Sequence, residues 1–131
     1  MTADCNVVEI THDRLNKRQA SAMAWVEKIY GPRVKGTRYQ ALRFLEEAME
    51  LAQTQGLSLE DFNMVGAYVA SRPVGDTKVE IGDVTFCLDV LAENLGLSVD
   101  SCHTNALLRF RGRDESKALA KDDAKCAAGL I

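Results

Sequence analysis

Proline and histidine are scarce in this chain, long apolar runs are missing, and its cysteines do not cluster. The two prolines, Pro32 and Pro73, both fall where a helical pattern stops, so nothing interrupts the helical segments from within. The two histidines, His12 and His103, belong to no recognisable triad or zinc spacing, which leaves Ser-His and Cys-His nucleophilic chemistry without support. Cys5, Cys87, Cys102 and Cys126 are scattered with no C-x-x-C spacing. That argues against a zinc site or a disulfide framework and for reduced cysteines in a cytosolic protein. No stretch approaches the roughly 18 apolar residues of a membrane span. The segment Met1 to Ile10 lacks the basic and apolar regions of a signal peptide, so a cytoplasmic protein is expected. A net charge of −3 gives no basic surface for nucleic acid or membrane. It does not exclude a small phosphorylated substrate, because a divalent cation can invert the local charge.

What remains is a chain of 131 residues, 47% apolar and 27% charged, enough for one ordinary domain with a single core. It is punctuated as a series of helices. Thr11 caps a first helix that runs through Trp25 to Tyr30 and stops at Gly31-Pro32. A second begins near Gly36-Thr37 and ends at Gly56. Ser58 with Asp61 three residues on resembles a capping box for a third, which Arg72-Pro73-Val74-Gly75 terminates. Asp76 or Thr77 caps a fourth, running to Gly96, and Ser98 caps a fifth, reaching about Gly112. The tail from Asp114 to Ile131 has helical composition, but its apolar residues are mostly alanine. No run alternates with a period of two, and no repeat or linker divides the chain. Short connections favour antiparallel neighbours, so the expectation is one all-α domain, an antiparallel helical bundle with its core at about 11–113.

Two helices carry acids in unusual places. At about 100° per residue, Glu46, Glu47 and Glu50 crowd one side of the second helix, opposite Phe44, Leu45, Ala48 and Met49. A solvated face accounts for any one of them. The trio is less easily dismissed: Glu46 and Glu50 form an i,i+4 pair of like charge, which a cation between carboxylates would relieve. In the fourth helix Glu80 lies in the middle of the apolar arc, and Asp83 stands beside Val79, Cys87 and Val90. Two carboxylates one turn apart therefore face the expected core side, where charge is costly unless paired or metal-bound. A Thr77-x-x-Glu80 capping box would explain Glu80, and an ion pair with Arg109 or Arg38 would explain either acid.

Glu46-Glu47-Ala48-Met49-Glu50 fits an E-E-x-x-E motif, and Glu80-Ile81-Gly82-Asp83 fits the E-x-x-D that follows it on another helix. Together, over Thr37 to about Arg113, they resemble the MazG-type, all-α nucleoside triphosphate pyrophosphohydrolases. The resemblance implies Mg²⁺, replaceable by Mn²⁺, held by Glu47, Glu50, Glu80 and Asp83, with Glu46 binding a further ion or orienting a water. It implies a four-helix core completed by dimerisation, often into dimers of dimers, and cleavage between the α and β phosphates. The gap between the motifs, Leu51 to Val79, is somewhat long for the family. After the fourth helix many relatives place a lysine and an arginine on the phosphates. Here that stretch offers Asn105, Arg109, Arg111 and Arg113 without a fixed alignment.

The expected reaction is in-line attack of a metal-activated water on the α-phosphorus, with Glu46 or Glu47 as general base. Its products are a nucleoside monophosphate and pyrophosphate. Lys35 and Arg38, at the start of the second helix, are further phosphate candidates, and Trp25 or Phe86 would stack on the base. Each also has a plainer reading, as a solvated charge or a core aromatic. Purine nucleotides such as (d)GTP are the first substrates to try, on the likeness to short family members. The competing reading is a catalytically silent metal-binding or oligomeric helical interaction module. A di-iron protein is disfavoured, since neither Glu47 nor Glu80 has a histidine three residues on.

Overall fold

The computed structural model describes residues 13–131. The expected Thr11 cap, His12 and Cys5 lie outside the described residues. The described chain is all-α: α1 (Asp13–Tyr30), a 3₁₀ segment (Gly31–Lys35), α2 (Thr37–Thr54), α3 (Leu59–Ala70), α4 (Thr77–Asn94), α5 (Val99–Arg111) and α6 (Glu115–Ala127). The tail thus forms a helix of its own. No strand occurs among the described residues.

The helix ends are built from the residues the sequence offers for them. After α2 and after α4 the chain turns through Gly56 (φ 86°) and Gly96 (φ 66°), a left-handed conformation that favours glycine. Each glycine is followed by a leucine whose N–H reaches back across the turn, Leu57 to Ala52 O at 3.2 Å and Leu97 to Ala92 O at 2.9 Å. This satisfies carbonyls that a helix end leaves open. A serine comes next in both links and starts the following helix. Ser58 N donates to Asp61 Oδ2 at 2.8 Å, and Ser98 Oγ accepts from Ser101 N at 3.2 Å. The two Gly-Leu-Ser links are therefore one device used twice, a local repeat too short to stand out in the sequence.

The described residues divide into two compact units: 13–45 with Glu115–Ile131, and Glu46–Asp114, the boundary falling inside α2. In the first unit α1 packs on the 3₁₀ segment and on α6. Val34 is fully buried there and Ile29 nearly so. Gln40 Nε2 donates to Val34 O at 2.8 Å, and Lys28 pairs with Glu115 at 3.4 Å. In the second unit α4 packs on α5, with Leu91 and Ala92 half-buried. No residue of α3, α4 or α5 is fully buried. The apolar arc of α4, expected to face a core, is open in the single chain: Val79, Ile81, Phe86 and Val90 are all exposed. The reason is local, since an 18-residue helix that packs on one neighbour covers only one of its sides.

Candidate metal and phosphate site

The carboxylates of the two motifs all belong to the unit Glu46–Asp114. On α2, Glu46 is half-buried while Glu47 and Glu50 are exposed. Helix geometry sets Glu46 and Glu47 one turn from Glu50, about 5–6 Å between Cβ atoms. Glu80 and Asp83 are spaced the same way on α4, and both are exposed. The structure therefore carries an acidic trio on α2 and an acidic pair on α4. Among the described residues no three His, Cys, Asp or Glu side chains come close enough together to hold one ion.

The first turn of α4 assigns the cap to Asp76, whose carboxylate accepts from Lys78 N at 3.0 Å and Val79 N at 3.2 Å. Glu80 is then the fourth helical residue, and the Thr77-x-x-Glu80 box is not the one used. An aspartate one residue earlier caps better, because its carboxylate reaches two open N–H groups at once. Glu80 instead lies over Gly75, so close that a side chain at Gly75 would collide with its Oε1. Asp83 sits on the side of α4 that carries Val79, Phe86 and Val90, all exposed. Neither acid forms an ion pair with Arg109 or Arg38, and Glu50 has no basic partner among the described residues.

Carboxylate oxygens, here those of Glu50, Glu80 and Asp83 without an ion pair, are the donors that a hard divalent ion takes. In chemistry, though not in assembly, the residues fit Mg²⁺.

The basic candidates are spread over both units. Lys35 pairs with Glu27 at 3.1 Å, with both side chains well exposed, while Arg38 projects from the first turn of α2 into solvent. Asn105, Arg109 and Arg111 lie exposed on α5. Arg113 follows α5 and stacks on Phe110 at 4.3 Å. Trp25 is half-buried in α1 with Lys28 5.3 Å from its ring, and its indole Nε1 is buried without a hydrogen-bond partner. Phe86, by contrast, is 69% exposed.

One polar cluster escaped the sequence analysis. Asp122 of α6 is only 3% exposed, and Tyr39 Oη donates to it at 2.9 Å. Arg33 Nη1 donates to Asp122 at 3.2 Å and to Asp123 at 2.7 Å, with Cys126 Sγ at 3.7 Å. Asp123, opposed by burial, raises the Arg33 guanidinium above its ordinary value, and burial followed by Asp122 pushes the Tyr39 phenol well up. The less exposed residues of α6, Ala118, Leu119, Asp122, Lys125 and Cys126, follow a helical stripe with the aspartate at its centre.

No protein-family model, no curated protein and no solved structure matches this chain.

Proposed function

We propose that the chain is a Mg²⁺-dependent nucleotide pyrophosphohydrolase that converts a (d)NTP and water to a (d)NMP and pyrophosphate. The observation that carries this reading is the pair of acidic motifs, E-E-x-x-E on α2 and E-x-x-D on α4, whose Glu50, Glu80 and Asp83 serve neither as helix caps nor in ion pairs. Exposed carboxylates one helical turn apart offer the oxygen donors that a hard divalent cation takes.

In this reading Glu47, Glu50, Glu80 and Asp83 are the Mg²⁺ ligands, with Glu46 as a further oxygen donor. Bound Mg²⁺ supplies Lewis acidity and screens the triphosphate charge. Glu46 or Glu47 accepts the proton of the water that attacks the α-phosphorus, and pyrophosphate departs on the opposite side. Lys35 and Arg38, with Asn105, Arg109, Arg111 and Arg113, are the groups that would neutralise the phosphates; a purine triphosphate such as (d)GTP is the first to test. The active form is a homodimer or a dimer of dimers. A second copy covers the apolar sides of α3 and α4, where Met64, Val65, Tyr68, Phe86 and Val90 are exposed. Large apolar side chains left exposed along helices in this way mark an association site.

The same apolar surface favours a second reading, a silent helical module that works through association alone. Incubating the protein with each NTP and dNTP, with Mg²⁺ or with EDTA, separates the two. Monophosphate and pyrophosphate should form only with metal. Glu50→Gln and Asp83→Asn should each lower turnover by about a hundredfold or more at unchanged melting temperature. If no triphosphate is consumed and Mg²⁺ titration yields no binding heat, the silent module stands.

A further inference from the structure

The four residues from Lys35 to Arg38 are exposed, yet the residues on either side of them are anchored: Arg33 and Val34 before, Tyr39 and Gln40 after. A single carboxylate performs most of that anchoring. Asp122, from the other end of the chain, accepts from Arg33 at 3.2 Å and from Tyr39 at 2.9 Å, and so bonds both flanks of the turn at once. Gln40 Nε2 to Val34 O, at 2.8 Å, ties the same flanks a second time, and the Val34 side chain is fully buried. Asp123 holds the Arg33 guanidinium on its outer side at 2.7 Å. Arg33 is thereby committed to α6, whereas Arg38 is exposed and Lys35, also exposed, meets Glu27 of α1 at 3.1 Å, an exposed pair that an arriving phosphate can replace.

We propose that Asp122 is a positioning residue for polyphosphate: α6 staples the turn between the 3₁₀ segment and α2, and so fixes the direction in which Lys35 and Arg38 are presented. The inference rests on the reading of Lys35 and Arg38 as phosphate-neutralising groups. Long basic side chains bind anions well only when their backbone is held, because ordering a loose turn costs entropy at the moment of binding. A buried, charge-assisted bond from a neighbouring helix removes that cost in advance. Asp122 touches no substrate in this scheme. It acts through Arg33 and Tyr39 on the two cations between them.

The test uses the full chain and Mg²⁺-tripolyphosphate as the probe. Asp122→Asn should accelerate amide exchange across residues 35–39 and weaken tripolyphosphate binding by about tenfold. Tyr39→Phe, the milder change, should do both by about threefold. Lys35→Ala with Arg38→Ala should weaken binding directly, and adding Asp122→Asn to that pair should cost nothing more, because the groups it positions are gone. Unchanged exchange in Asp122→Asn would overturn the staple. Equal losses from Asp122→Asn with and without the two cations would reduce Asp122 to general stability. If Lys35→Ala with Arg38→Ala binds as well as wild type, the phosphate role of this turn is wrong, whatever the exchange data say about the staple.

Discussion

The unit built from α1, the 3₁₀ segment, the start of α2 and α6 sets four of its acids against basic partners, whereas the unit from Glu46 to Asp114 leaves Glu50, Glu80 and Asp83 without one. In the first, Glu27, Glu115, Asp122 and Asp123 each meet a lysine or arginine, and a buried valine sits beneath them. In the second, Asp61 and Asp76 are used at helix starts, while Glu50, Glu80 and Asp83 remain exposed beside exposed apolar residues. Both regions are mostly helical. The difference teaches that helix formation and burial are separate achievements: caps and turn glycines secure the helices of the second unit, but only a further surface would bury their apolar sides.

The largest effect expected from breaking this contrast is on association. Phe86→Glu with Val90→Glu places charge on the open side of α4 and should weaken self-association by about thirtyfold or more, read by sedimentation equilibrium. The melting temperature of this variant should also lose the concentration dependence that an oligomer confers. In the first unit the matching change is Val34→Ala. It should cost about 2 kcal/mol in denaturant unfolding, by the same amount at every protein concentration, because the cavity forms inside one chain. If Val34→Ala proves concentration-dependent, the two units are not stabilised in different ways.

Asp76→Ala removes a cap and should cost about 1 kcal/mol, with helical circular dichroism nearly unchanged. The smallest effect is alkaline. Burial and Asp122 hold the Tyr39 phenol above its ordinary value of 10.0, so the folded chain keeps a proton that the unfolded chain releases. That contribution is whole below pH 10 and is lost as the pH rises from there towards the folded value. Above pH 10 the melting temperature of wild type should therefore fall more steeply than that of Tyr39→Phe.

Much of the helical framework was legible because its signals are local. Gly56 and Gly96 end helices, and Ser58 and Ser98 begin them, through bonds that span at most five residues. The same locality left one detail open: with Asp76 and Thr77 side by side, only the observed hydrogen bonds decide which one caps α4. The acids of α2 and α4 were legible as motifs, since spacing on a helix fixes which side chains share a side. The Asp122 cluster was not, because its partners Arg33 and Tyr39 are more than eighty residues away. An aspartate in an alanine-rich stripe reads as solvated until those partners are found.

By itself, then, the sequence determined where helices start and stop and which acids stand one turn apart, because those depend on bonds and angles within a few residues. Only the tertiary structure decided that α6 returns to α1 and the 3₁₀ segment, that Asp122 rather than an apolar residue sits at that contact, and that the arc of α4 stays open in the single chain. Those outcomes depend on which distant surfaces meet, and no pattern confined to one helix encodes its neighbour.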